Sequence, residues 1–564
     1  MHSLILGALI ISPSSALVAR QIVPSTDWNG LRDQVGGRLI PAVPLAAPCF
    51  SEGFNSTACE VVKKGYVDEL FRSNSTTGYI QTQWESCQTT GQQCLLNFLD
   101  PDDPSPVAAP HKCSPGGLPS YFIDVRGVDD VKAAYNFARR TKVPLVIKNT
   151  GHDYIGRSSA PGSLALWTHN LKDISYNKSF VPEGCTDAKP GVTMGAGVQW
   201  SQAYSFAETH QITLVGGSDR SVGAVGGWLQ GGGHSPLSNT MGLGVDRVLQ
   251  FKVVTPDGEY RVANSCENQD LFFALRGGGG GTFGVVMEAT VLADPVKRIQ
   301  ALFLSFKGND TVTRHVWSIL VDNALNWSQD GWGGYSISDA VAFINPVLDK
   351  EKAAKSMKPL LEYANKLKGD HNVKDVNVVM MEFPTYNQWF DVFSRQNVAA
   401  VGTNLAQASR LIPRETFTTP TSRTQILDAL MAARASTPRT LILITAPSSY
   451  NSTERIAVNE AWRDTVWHIV TSVSWNWNAT INEKRDSYKK AEEAISHIRN
   501  ITPDAAYFNE CDTYEPNFEQ SFWGNNYAEL LTLKQKYDPD HLLECWRCVG
   551  YNPHNPRFSC YLPE

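Results

Sequence analysis

Lys148-Asn149-Thr150-Gly151-His152-Asp153-Tyr154-Ile155-Gly156-Arg157-Ser158-Ser159 is the stretch whose reading decides the fold. The apolar run 143–147 ahead of it predicts a strand. Before that, 129–142 predicts a helix with Val131, Ala134, Tyr135 and Ala138 on one face. Tyr121-Phe122-Ile123-Asp124-Val125 is a further extended run. The order is strand, helix, strand, then a small polar loop. Gly151 and Gly156 have no Cβ and let the backbone approach a ligand closely. Thr150, Ser158, Ser159 and free N–H groups suit phosphate oxygens. His152 stands mid-loop, where an imidazole nucleophile can meet a cofactor. Taken alone, the loop reads equally well as a polar surface turn.

Working outward, 164–167, 192–198 and 212–215 read as strands and 199–210 as a helix. A second cluster, 216–235, interleaves many glycines with Val222, Val225, Trp228 and Leu229. A solvated linker does not need those apolar residues; close backbone approach to a buried planar ligand explains both features. A strand pair follows at 248–255 and 259–262, joined by Pro256-Asp257-Gly258. A helix at 268–275 leads into a third glycine run, 277–281, and a strand at 285–292. From about 298 to 500 the glycines thin out. Strands at 302–306, 376–382, 440–446 and 465–475 alternate there with helices at 350–368 and 483–499, a second α+β unit. In 465–475, Trp467, Ile469, Thr471, Val473 and Trp475 fall on one face, and Val466, His468, Val470, Ser472 and Ser474 on the other. A short helix is expected within 61–72, and a final one at 527–537 is stopped by Asp538-Pro539-Asp540.

Composition bounds the class. The 564 residues exceed one average domain, and 42% hydrophobic against 19% charged residues describes a globular chain. A net charge of -6 argues against a nucleic-acid partner. The apolar run 4–11, followed by small residues up to Ala19, reads as a secretory signal. No stretch approaches a membrane-spanning length. Asn-x-Ser/Thr sequons begin at Asn55, Asn74, Asn177, Asn309, Asn326, Asn451, Asn478 and Asn500, which favours a secreted glycoprotein. Eleven cysteines fit an oxidising compartment and leave at least one unpaired. Cys49/Cys59 and Cys87/Cys94 are expected as local disulfides. Cys545-Trp546-Arg547-Cys548 has no second pair to complete a zinc site, so a disulfide and no metal is expected.

Three motifs in order carry a resemblance: the 148–159 loop, the 217–233 segment, and Tyr507-Phe508-Asn509-Glu510 with Lys536-Tyr537-Asp538-Pro539. Together they resemble the vanillyl-alcohol-oxidase-type FAD-linked oxidases, in the berberine-bridge-enzyme-like branch, and most of all secreted fungal isoamyl-alcohol-oxidase-like proteins. The resemblance covers roughly 117–295 and 500–551. It implies an α+β fold of two domains: a discontinuous PCMH-type FAD-binding domain, and a substrate domain built on an antiparallel sheet. The expected layout is a signal at 1–19, an extension at 20–117, the FAD domain at 118–297, the substrate domain at 298–500, and 501–564 returning to the FAD domain. It implies FAD bonded covalently through His152. The flavin contacts it implies in the first loop are Asn149, Thr150, Gly151, Asp153, Tyr154, Gly156, Arg157 and Ser158. Further contacts are implied at Gly217, Ser218, Val222, Gly223, Gly226, Gly227, Gly233, Val286 and Asn509. Many relatives have a second bond from a cysteine; here that position is Asp219, which implies a single attachment. Val222 stands where the family places a gate residue, in a form that admits oxygen.

The chemistry implied is hydride transfer from an alcohol carbon to flavin N5, with O2 reduced to H2O2. Glu510 follows Asn509 in the motif and is read as a base of raised pKa, or else as a structural carboxylate. Tyr507 would orient substrate or flavin. His468 is read as pointing to the flavin, or else as a packing residue. A small-molecule alcohol, O2 and a monomeric, extracellular enzyme are expected. The alternatives are an oxidative cyclase or dehydrogenase of secondary metabolism on the same fold, and a binding glycoprotein without activity.

Overall fold

In the computed structural model, residues 23–396, 400–437 and 439–563 are described. The signal sequence expected at 1–19 lies outside them. Three main sheets organise the chain. The first is four-stranded: Leu39–Pro41, Tyr121–Asp124, Leu164–Trp167 and Leu145–Lys148 in spatial order. The last three are parallel, and the edge strand Leu39–Pro41 runs antiparallel to Tyr121–Asp124. So the stretch expected to be a mere extension supplies a strand to this sheet. The helix Val128–Thr141 buries Val131, Ala134, Tyr135 and Ala138 against it, the face its spacing predicts. The decisive loop leaves the carboxyl end of Leu145–Lys148, where parallel sheets characteristically open a ligand crevice.

The second sheet is antiparallel, in the order Ile174–Phe180, Lys189–Gly195, Val285–Leu292, Val248–Val254, Tyr260–Asn264. The strand expected at 192–198 thus lies three residues earlier, and that expected at 212–215 is only Ile212–Thr213. The third sheet has seven antiparallel strands: Lys374–Phe383, Ile299–Lys307, Ala340–Asn345, Gly333–Ile337, Arg439–Ile444, Thr465–Trp475 and Asn404–Pro413. Helices Asp310–Asp330, Pro420–Ser436 and Ile481–Arg499 cover one face, where Trp317, Leu320, Leu430, Ile495, Trp467 and Ile469 form a core. Its other face is left for the site.

Two expected helices are broken. The 350–368 segment splits into Lys350–Ser356 and Lys358–Leu367. Pro359 is in the first turn of the second helix, where its missing N–H is no loss, though it cannot continue the first. The 61–72 segment splits into Ser56–Gly65 and Glu69–Ser73; the Asp68 carboxylate caps the second by accepting from the Phe71 N–H at 2.8 Å. Cys49–Cys59 and Cys545–Cys548 form as expected. Cys87 does not pair with Cys94; it bonds Cys560, while Cys94 bonds Cys113. Cys185–Cys266 completes five bridges and leaves buried Cys511 as a free thiol.

The C-terminal segment is locked to the third sheet by a buried carboxylate. Glu515 accepts from Arg410 at 2.6 and 3.0 Å, and from Arg499 of the covering helix. Arg410 and Glu515 side chains are 0% and 1% exposed. Removing one partner of such a pair leaves a buried charge without compensation. Glu515→Ala is therefore expected to cost about 3–5 kcal/mol. Thermal unfolding would show it as a lowered transition temperature; an unchanged transition would contradict this account of the junction.

Candidate active site

Where the first loop, the glycine-rich segment, the open face of the third sheet and the 507–510 turn meet, they enclose a cavity of about 920 Å³. Asp153 organises the loop. Its carboxylate accepts from the Gly156 and Ser158 N–H groups at 2.8 and 2.7 Å, and from the Ser158 hydroxyl at 2.5 Å. Gly156 takes φ +79°, and a Cβ there would lie 2.4 Å from the Trp84 ring. The hydroxyls expected for phosphate are engaged elsewhere: Ser158 with Asp153, and Ser159 with the carbonyls of Trp84 and Gly117. Arg157 donates to the carbonyls of Phe508 and Trp546, and its guanidinium lies 3.4 Å from the Phe508 ring centroid. It thus joins the loop to the C-terminal segment.

His152 points into this junction. Its Nε2 is 2.6 Å from Ser221 Oγ, which in turn donates to Asp219 at 2.9 Å. Asp219 itself is 3.4 Å from the same nitrogen. Burial pushes the imidazole below its ordinary pKa, against the pull of Asp219 and Glu69. The ring is therefore neutral at physiological pH, with Nδ1 free of hydrogen bonds among the described residues. Asn149 donates to Thr168 and to the Ala196 carbonyl, while its buried Oδ1 has no partner among the described residues. Added Cβ atoms at Gly227 and Gly281, both lining the cavity, would meet nothing within 4 Å. An orphan acceptor beside bare backbone walls fits a flat ligand with polar edges.

At the far side, two histidines face Glu510, and one of them is within hydrogen-bonding distance. His234 Nε2 lies 2.9 Å from Oε1. His468 Nδ1 lies 3.6 Å from Oε2, beyond hydrogen-bonding distance. Burial alone would push the Glu510 carboxyl up, but the His234 charge and hydrogen bond outweigh it and hold the group below its ordinary value. This overturns the raised value expected from the sequence. His468 is fully buried, and among the described residues neither ring nitrogen has a hydrogen-bond partner. Burial pushes its pKa down to about 3, so it faces Glu510 as neutral imidazole. The donor atoms of His234, His468 and Glu510 lie within 4.8 Å of one another, a spacing that also suits a small cation. Tyr507 accepts from the Gly233 N–H at 3.1 Å and from Asn509 Nδ2 at 2.8 Å; burial keeps its phenol protonated.

Of the residues singled out from the sequence, Asn149 to Tyr154, Arg157, Ser158, Gly217, Ser218, Val222, Gly223, Gly226, Gly227, Val286, Tyr507, Asn509 and Glu510 line the cavity. Gly156, Gly233 and His468 stand behind its wall. Gly156 backs on Trp84, Gly233 on Trp228, and His468 on Glu510. Sequence reasoning missed Ser221, and also Tyr335, whose hydroxyl meets Ser218 Oγ at 2.7 Å. It missed His234 as well, although a histidine closing a run of three glycines was a visible signal.

The chain matches the family described as FAD binding domain over residues 119–264, and that described as berberine and berberine like over 506–545. It is 35% identical to the FAD-linked oxidoreductase cheF of Chaetomium globosum, covering 99% of this chain and 91% of that one. The solved VAO-type flavoprotein MtVAO615 from Myceliophthora thermophila superposes with a TM-score of 0.82 at 29% identity, over 96% of this chain and 97% of that one. Acremonium strictum glucooligosaccharide oxidase, described with a 6-S-cysteinyl, 8α-N1-histidyl FAD, shares the fold at TM-score 0.61 and 20% identity, over 77% and 92%.

Proposed function

Because the chain belongs to the FAD-linked oxidoreductases of the vanillyl-alcohol-oxidase type, we propose that it is a secreted oxidase of a CH–OH group, with FAD tethered through His152 alone. The observation that carries the reading is Glu510, a carboxylate lining the cavity with Oε1 held by His234 and Oε2 3.6 Å from His468 Nδ1, too far for a hydrogen bond.

The residues that would hold FAD are the 149–158 loop, the glycine-rich segment around Gly223 and Gly226, and Asn509. His152 Nδ1 would carry the bond to the cofactor, since Ser221 engages Nε2. The linkage named for the Acremonium enzyme is also to a histidine. Asp219, in place of the second anchor's cysteine, instead orients Ser221. When bound, the flavin supplies a hydride acceptor whose electrons pass to O2. Glu510 Oε2 would accept the alcohol proton as the carbinol C–H is lost, giving the carbonyl product. His234 keeps the carboxylate ionised and fixed in direction. His468 backs it with a neutral ring that does not compete for the incoming proton. Tyr507, a donor held by Gly233 and Asn509, would orient the alcohol oxygen.

Export is supported by five disulfides and by all eight sequon asparagines being exposed. Among the described residues, no helix is long and apolar enough to cross a membrane. Peroxide release across a panel of primary and secondary alcohols is the test. Substrate-dependent loss of flavin colour without peroxide would favour a dehydrogenase or cyclase instead.

A further inference from the structure

Cross-strand register divides the cavity wall into rows. Leu443, His468 and Leu411 are neighbours in one row, and His468 meets Glu510 from there. Two residues along the strands come Leu441, Val470 and Ser409; two further, Arg439, Ser472 and Gln407. Of these, Leu443, Leu441, Val470, Arg439, Ser472 and Gln407 line the cavity. The wall therefore runs from the carboxylate–histidine end, across an apolar row, to a polar end. Four residues of antiparallel strand put that polar row about 13 Å from the His468 row.

Two side chains of the polar row are without a partner among the described residues. Gln407 is 7% exposed, and its buried Nε2 donor has no hydrogen bond among the described residues. Arg439 is exposed, and among the described residues it shares in none of the ion pairs that engage its neighbours. Arg434 pairs with Asp310 and Lys307 with Asp375, while Arg157 is held by carbonyls. A fork-shaped cation and an unsatisfied amide donor on one row are complementary to a carboxylate. Asp339 is the opposing charge lining this cavity outside the base network and the first two loops.

We propose that this row is a carboxylate-binding subsite, and that the substrate is an alcohol with an apolar body bearing a carboxylate at the end remote from its reacting carbon. The substrate half of this rests on the alcohol-oxidising reading above; the subsite half does not. The test uses the holoenzyme and a series of straight-chain carboxylic acids of graded length, each with its methyl ester and its ω-hydroxy derivative. Binding of the unreactive acids and esters is read from the perturbation of flavin absorbance. The best-fitting acid of the series is expected to bind about tenfold tighter than its ester, and Arg439→Gln to abolish that preference. Asp339→Asn is expected to tighten the acid further. If the acid shows this dependence but its ω-hydroxy derivative is not oxidised, the subsite stands and the alcohol reading falls. Equal binding of acid and ester, a preference that survives Arg439→Gln, or no binding by any acid of the series would overturn the subsite.

Discussion

Replacing Glu510 by glutamine is expected to leave the flavin bound and to lower kcat/KM by about 10²–10⁴-fold, the usual contribution of a positioned general base. The carboxamide keeps the shape and the contact with His234, but it cannot take a proton. The pH profile adds a signature. Glu510 is held below its ordinary 4.5, burial being outweighed by the His234 charge and hydrogen bond. A base acts when ionised, so kcat/KM should fall only as pH drops through a value below 4.5, and the acid limb should be absent in the glutamine variant. A limb near neutrality in the wild type would mean that another group serves as base. His234→Ala, which removes the outweighing partner, should move the limb upward.

The other large effect expected is at His152. His152→Ala should abolish covalent flavin altogether. After acid precipitation and a denaturing gel, the wild-type band should fluoresce and the variant band should not, with the flavin now free in the supernatant. Ser221 and Asp219 fix the ring through Nε2, so Ser221→Ala should slow attachment without abolishing it. Retained fluorescence in His152→Ala would place the anchor elsewhere. Absence of flavin from both band and supernatant of the wild type would remove the cofactor from the account.

What the sequence made legible was local and periodic. Val285–Leu292, Thr465–Trp475 and Tyr527–Tyr537 begin and end where their patterns do, and the strand–helix–strand ahead of His152 follows from 3.6- and 2-residue spacing. The strand Asn404–Pro413 carries no alternation, because it is buried at nearly every position. Gly65 and Pro359 broke helices whose apolar spacing continued across them. The partners that set the chemistry are distant in sequence: His234 is 276 residues from Glu510, and Cys87 is 473 from Cys560. No spacing rule reaches that far. The direction of the Glu510 shift depends on His234, so a reading that treated the carboxyl as merely buried took the wrong sign.

The most direct test is to mix the wild-type holoenzyme with the alcohol panel in the absence of oxygen and follow the flavin absorbance. Bleaching by at least one alcohol is expected, with colour restored and an equivalent amount of peroxide formed when oxygen is admitted. Flavin that no alcohol bleaches, or bleached flavin that oxygen does not restore, would contradict the oxidase reading.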